Sequence, residues 1–292
     1  MSEKLKCLLI LGCGYVGEKL AAACLADGMR VIATTRDLLR AEVLAKQGIE
    51  AIVVRSPLEL SDELLAAVDG VVDSIPLSRD QTGIHATQLL WLPQLTERLL
   101  HLRWAGYLSS TAVYGDAGGA WVDESSICRP SSERGGERLK AEKTWLESGL
   151  AAEIFRLAGI YGVERNILGR LKSDAYKAVQ WNPPHYASRI HVDDIVAALM
   201  AAMQKPRAGR IVNLADDLPL PHAEYVCEVA AMIGAPMPQM LTESEGEAVL
   251  SPSMLAFFRD NKRVSNRLLH QELLPSLQYP SFRTAMGELD AN

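Results

Sequence analysis

Cys7-Leu8-Leu9-Ile10-Leu11-Gly12-Cys13-Gly14-Tyr15-Val16-Gly17-Glu18-Lys19-Leu20-Ala21-Ala22-Ala23-Cys24-Leu25-Ala26 is the stretch that decides the fold. A short apolar run ends in Gly12-x-Gly14-x-x-Gly17, and an alanine-rich segment of helical composition follows at once. The three glycines serve different physical ends. The first permits a tight turn, the second lets backbone amides approach a pyrophosphate, and the third lets helix and strand pack closely. The position of the loop, between a strand and the N-terminus of a helix, makes the motif specific. It predicts the first βαβ unit of a dinucleotide-binding fold.

Outward from that loop the same rhythm continues. Apolar runs at Arg30–Thr34, Glu50–Val54 and Val71–Ser74 alternate with helical stretches at Leu38–Gln47 and Asp62–Val68. Continuous rather than alternating apolar runs mark strands buried on both faces, and their alternation with helices predicts an α/β, doubly wound parallel sheet with right-handed crossovers. Further on, the sequence predicts a helix over Thr82–Leu102 kinked at Pro93, a strand over Gly106–Ser109, a helix over Ser132–Ser148 and a strand over Ala152–Leu157. Ile190–Val192 and Arg210–Asn213 read as returning strands, Asp193 or Asp194 as the cap of a helix Ile195–Gln204, and Ala223–Ile233 as a later helix. The expected division is a nucleotide-binding domain over 1–158, with 189–215 returning to it, and a smaller substrate-binding region over 159–292.

Composition narrows the classes. With 292 residues, 48% hydrophobic and 23% charged, the chain can bury an ordinary globular core. A net charge of −6 without a dense basic run argues against nucleic acid. No apolar run reaches the roughly 18–20 residues that cross a bilayer, and the stretch Cys7–Leu11 is too short for a signal-peptide core. Five scattered cysteines without a C-x-x-C pair suggest neither a disulfide framework nor a zinc site, so the expectation is a cytoplasmic protein without a metal.

The second predicted strand ends in Thr34-Thr35-Arg36, where an NAD-selective site would carry Asp or Glu for the ribose diol. A hydroxyl followed by a guanidinium suits a 2′-phosphate instead, because arginine offers a planar fork of donors with permanent charge. The expected cofactor is therefore NADP, with NAD as the alternative. Arg40 could share the role of Arg36, and the bland reading of Arg36 is a solvated loop side chain.

Five segments in order resemble the extended, atypical branch of the short-chain dehydrogenase/reductase superfamily, the epimerases and dehydratases. They are the glycine loop, Ser109-Ser110-Thr111-Ala112-Val113-Tyr114-Gly115, Arg156-Leu157-Ala158-Gly159-Ile160-Tyr161-Gly162, Arg189-Ile190-His191-Val192-Asp193-Asp194, and Val212-Asn213-Leu214-Ala215-Asp216-Asp217. The resemblance implies a Rossmann domain of about seven parallel strands with a smaller lobe over the cofactor cleft. It implies a cofactor held by Gly12, Gly14, Tyr15, Val16, Gly17, Thr35, Arg36, Ser74, Ser109, Gly159 and Ile160, and a homodimer paired through the helices Thr82–Leu102 and Ser132–Ser148.

The resemblance also implies a catalytic Ser, matched by Ser110, and a Tyr-x-x-x-Lys pair that exchanges the proton while the nicotinamide takes hydride. Ala141-Glu142 fixes the register of that pair at Arg134 and Arg138, and no Tyr lies between Tyr114 and Tyr161. Arginine, with a pKa above about 12, carries no proton at neutral pH. Arg134 and Arg138 then either hold an anion or are solvent-facing helix charges. Thr111-Ala112 replaces the Asp-Glu pair of the sugar dehydratases. Tyr114 is expected to pack behind the Ser loop and His191 to be a hydrogen-bonded structural histidine, while His185 and Tyr186 are candidate substrate contacts and proton carriers. Two readings follow: an NADP(H)-dependent oxidoreductase or epimerase acting on a small polar or nucleotide-linked hydroxyl or carbonyl substrate, or a catalytically inactive, redox-sensing dinucleotide-binding protein.

Overall fold

The computed structural model describes residues 4–173 and 176–290. Seven parallel strands form the central sheet: β1 Cys7–Leu11, β2 Arg30–Thr35, β3 Glu50–Val53, β4 Gly70–Asp73, β5 Trp104–Ser110, β6 Ala152–Leu157 and β7 Ile211–Leu214. Their spatial order is β7-β6-β5-β4-β1-β2-β3, so the direction of winding reverses beside β1. A crevice forms there, outside the carboxyl ends of the strands, and the glycine loop opens onto it.

Alternation along β1 divides the two faces. Leu8 and Ile10 pack with Leu20, Ala21 and Cys24 of helix α1 (Tyr15–Ala26), and with Ile195 and Leu199 of the helix Val192–Gln204. Cys7, Leu9 and Leu11 pack on the opposite side with Trp91, Leu92, Ala141 and Trp145. Both faces are dry, which is why β1 reads as an unbroken apolar run. A third core, around Tyr161, Leu171, Tyr225, Val229 and Phe282, holds together the lobe that follows β6. No helix among the described residues is long and apolar enough to cross a membrane.

Several expected elements differ. Residues 82–102 do not form one helix: Ser78–Asp80 and Gly83–His85 make an antiparallel hairpin, and the helix is confined to Gln88–Thr96 with Pro93 inside it. Gly83 turns the hairpin at φ +135°, and carboxylates of the helix α2 (Glu133–Leu146) bind its backbone, Glu133 accepting from Ile84 N–H at 2.9 Å and Glu137 from Ala86 N–H at 2.8 Å. Those long-range bonds replace the helical ladder that local sequence favours. Arg189–His191 does not return to the main sheet; it pairs with Gly159–Tyr161, and only Ile211–Leu214 joins the sheet. The helix after it begins at Val192, one turn early, with His191 as its cap, whose Nδ1 accepts the Asp193 amide at 3.3 Å. Asp194 instead accepts the Gln278 and Tyr279 amides at 2.7 and 3.0 Å, clasping the tail of the chain to this helix.

Candidate functional site

At the end of β1 Gly12 adopts φ +72°, and a Cβ there would sit 2.9 Å from the Ile75 backbone. Any side chain is excluded both by the left-handed conformation and by the approach of the β4 loop. Gly12 N–H donates to Thr34 Oγ1 and Cys13 N–H to the Thr34 carbonyl, both at 2.9 Å, which pins the loop to β2. Gly17 packs against Ile10 and the Cys13 sulfur, with Cβ clearances of 3.1 and 3.3 Å. Gly14 caps α1 without a side-chain hydrogen bond, and the open side of Gly14 faces space. The first amides of α1 are left for an anion.

A cleft of about 420 Å³ opens here. Gly12, Gly14, Thr35 and Arg36 line it, together with Cys13, Thr34, Val54, Arg55, Ser56, Pro57, Leu58, Ile75, Pro76, Ser78, Thr87, Leu90 and Trp91. Its apolar walls, Leu58, Ile75, Leu90 and Trp91, suit a flat base, and its polar end holds two arginines. Among the described residues lining it there is no carboxylate. A dinucleotide cofactor fits this donor set. Arg40, the alternative to Arg36, is committed elsewhere: its guanidinium binds Glu18, whose other oxygen accepts from Gln47 at 2.7 Å. Arg55 went unread in the sequence, although it ends an apolar strand in the same way as Arg36.

The other expected cofactor residues lie outside this cleft. Tyr15 directs its hydroxyl towards Gly162, where a Cβ would meet it at 2.3 Å, and Val16 is buried on the inner side of α1. Ser74 continues the β1–β4 ladder through its amide to the Leu11 carbonyl, 2.9 Å. Gly159 is exposed at the edge of the crevice and Ile160 packs on the core. Ser109 is buried with its hydroxyl donating to Glu142 at 2.6 Å, so its side chain serves the network beneath the site.

Ser110, half-buried at the end of β5, accepts the Ala112 amide at 3.2 Å and caps the short turn Thr111–Tyr114, which leaves its O–H free to donate. The first turn of α2 presses on this turn so closely that a Cβ on Gly135 would lie 2.6 Å from the Ala112 carbonyl. Arg134 is exposed. Arg138 is anchored: its Nη1 donates to the Tyr107 hydroxyl at 2.8 Å and to the carbonyls of Leu108 and Ile75 at 3.3 and 3.5 Å. Through the Ile75 carbonyl Arg138 is joined to the loop that lines the cleft.

Tyr114 is buried behind the Ser loop, donating to Asn213 at 2.7 Å and accepting from Arg156 at 3.0 Å. Burial pushes its phenol up to about 12 against the pull of Arg156, which removes it as an acid near neutral pH. His185 is buried in the second lobe between Phe257 and Phe258, with centroids at 5.2 and 4.9 Å, and burial lowers it to about 4. Tyr186 is tied by its amide to Asn261 at 2.9 Å, with Arg263 over its ring. Neither lines the cleft. One ligand atom each of His191, Asp193 and Glu288 falls within 4.8 Å of the others, but the cap bond occupies His191 Nδ1.

Sheet order and the glycine loop together define a Rossmann-type fold with seven parallel strands. More particularly, the chain belongs to one family with a functionally unknown conserved protein of Silicibacter pomeroyi DSS, whose structure matches at 34% identity and a TM-score of 0.88 over 98% of each chain. It is also similar to Protein YeeZ of Escherichia coli K12, 27% identical over 282 residues, 90% of this chain and 94% of that one. The human epimerase family protein SDR39U1, solved with NADPH, shares the fold at 17% identity and a TM-score of 0.72, over 98% of this chain and 99% of that one. No protein-family model matches the chain.

Proposed function

We propose that the chain is an NADP(H)-dependent oxidoreductase or epimerase acting on a hydroxyl or carbonyl group of a small polar or nucleotide-linked substrate. The observation that carries this reading is the cleft itself, which runs from an open glycine loop to an arginine-bearing, carboxylate-free rim. Gly12, Gly14 and the first amides of α1 would hold the pyrophosphate, and Thr35 and Arg36 the phosphorylated ribose. The bound nicotinamide supplies or accepts hydride. Ser110 orients the substrate oxygen through a hydrogen bond, and the proton that this oxygen gains or loses with each hydride exchanges with water. Arg138, fixed by Tyr107, and Arg134 supply positive charge rather than a proton, since a guanidinium stays protonated near pH 7.

A second reading, a dinucleotide-binding protein without catalysis, is favoured by one observation: both proton-transfer positions are arginine, and the phenols near them, Tyr107 and Tyr114, are buried and hydrogen-bonded to Arg138 and to Asn213 and Arg156. The two are separated by titrating NADPH and NADH calorimetrically. The NADPH-loaded protein is then incubated with a panel of carbonyl compounds and nucleotide sugars, following nicotinamide oxidation and epimerised product. NADPH preference with turnover that falls about a hundredfold in Ser110→Ala, at unchanged cofactor affinity, is the expected result for a group acting in the transition state. Tight NADPH binding with no turnover across the panel supports the second reading, and equal affinity for the two cofactors overturns the NADP assignment.

A further inference from the structure

Parallel pairing brings two strand ends to the same side of the cleft. Thr35 of β2 stands opposite Val53 of β3, and the Val54 amide donates to the Thr35 carbonyl at 2.9 Å. Arg36 follows Thr35 directly, and Arg55 follows Val54, one residue further along its strand, so the two guanidinium side chains leave neighbouring strand ends and both line the cleft. Both are exposed, and neither has a side-chain hydrogen bond or ion pair among the described residues. Two like charges lining one cleft without a counter-ion among the described residues repel each other, and that repulsion is relieved by a bound anion.

The acids that could have neutralised them are occupied. Asp37 caps the helix Leu38–Lys46, accepting the Leu39 and Arg40 amides at 2.8 and 3.3 Å. Glu59 accepts the amides of Arg55 and Ser56 at 3.3 and 3.0 Å, in a capping box with Ser56. The backbone of Arg55 is therefore held while its side chain is left available. Glu18 is bound by Arg40. The Thr35 and Ser56 hydroxyls each accept one backbone amide, from Asp37 and from Leu58, and keep their own hydrogens to donate.

We infer that Arg55 is a second ligand of the ribose 2′-phosphate, closing on it from β3 while Arg36 closes from β2. The inference rests on the NADP reading above and adds to it a residue outside the glycine-loop unit. Selectivity for the phosphorylated ribose is then shared between two strands, with the Thr35 and Ser56 hydroxyls completing the set of donors.

The test measures binding and not activity. Wild type, Arg36→Ala, Arg55→Ala and Arg55→Gln are titrated with NADPH, NADH, adenosine 2′,5′-bisphosphate and adenosine 5′-monophosphate. The exposed position of Arg55 predicts unchanged thermal midpoints for its variants. A charged hydrogen bond lost at a phosphate weakens binding by about tenfold or more. The expected result is that loss for NADPH and the bisphosphate in both Arg55 variants, with NADH and the monophosphate unchanged and the wild-type NADPH affinity falling with added salt. A wild type that binds NADPH and NADH alike overturns the NADP reading itself. A wild-type preference that Arg36→Ala abolishes but both Arg55 variants retain in full overturns the inference alone. Equal weakening of all four ligands by the Arg55 variants also overturns it, because the contact would then not be to the 2′-phosphate.

Discussion

Beneath the Ser loop lies a buried ion pair whose removal should be strongly destabilising. Glu142 of α2 and Arg156 of β6 are 2% and 4% exposed, and they meet in a forked contact at 2.7 and 3.1 Å. Ser109 donates to the same carboxylate at 2.6 Å, and Arg156 passes a further bond to Tyr114, which donates to Asn213 of β7. One network thus joins α2, β5, β6, β7 and the turn that carries Ser110. Glu142→Gln keeps the shape and most hydrogen bonds but strands the Arg156 cation in the core, at a cost of about 3–5 kcal/mol. In a chain of this size about 2 °C of melting temperature accompanies each kcal/mol, so the midpoint should fall by roughly 6–10 °C. Replacing both partners, Glu142→Leu with Arg156→Met, removes the uncompensated charge and leaves mainly the Ser109 hydroxyl without its acceptor, a loss of about 1–3 kcal/mol. The assay is urea and thermal unfolding of Glu142→Gln and, read as a double-mutant cycle, of Glu142→Leu, Arg156→Met and the double. A Glu142→Gln cost under about 1 kcal/mol, or a double mutant whose loss equals the sum of the singles, would refute the reasoning.

Two other outcomes are expected. Gly135→Ala should destabilise by about 1–3 kcal/mol, since its Cβ would lie 2.6 Å from the Ala112 carbonyl, whereas Gly136→Ala, with nothing within 4 Å, should stabilise by up to about 1 kcal/mol through helix propensity; melting temperatures of the pair check the contrast. Burial lowers His222 from 6.5 to about 3, so it folds neutral, and its share of stability is full above pH 6.5 and lost as the unfolded chain takes up the proton on acidification. His222→Phe should therefore flatten the stability profile between pH 6.5 and about 3, by up to about 1.4 kcal/mol per pH unit relative to wild type, and parallel profiles from urea unfolding would contradict that burial.

What the sequence carried follows from range. Leu8 to Leu11, Val31 to Ala33 and Ile154 to Phe155 are apolar on consecutive positions because both faces of the sheet are covered, and that pattern needs no knowledge of partners. The glycine loop is equally local, since its turn and its helix follow one another without a break from Gly12 to Ala26. The hairpin at Ser78–His85 was illegible because its amides are satisfied by Glu133 and Glu137, about fifty residues downstream. The packing of Tyr114 behind the Ser loop agrees with the resemblance, but the bonding partners of Ser109 and Tyr114 were illegible for the same reason: Glu142 and Asn213 lie 33 and 99 residues away, and only the folded sheet brings them together.

Arg55 shows a different kind of miss. Sequence places a strand over Glu50–Val54 in a parallel sheet, and the structure has it over Glu50–Val53, in parallel register beside β2. What pattern reading does not supply is the occupation of nearby charges: in sequence, Arg36, Arg40 and Arg55 are three equivalent cations with Glu18, Asp37 and Glu59 as three equivalent acids. The fold assigns Glu18 to Arg40 and turns Asp37 and Glu59 onto backbone amides, so two of the three cations reach the cleft without a partner. A local charge count near zero thereby becomes two exposed positive charges in the lining of the cleft, and the proposed preference for a phosphorylated dinucleotide rests on this sorting, done by helix caps and one ion pair.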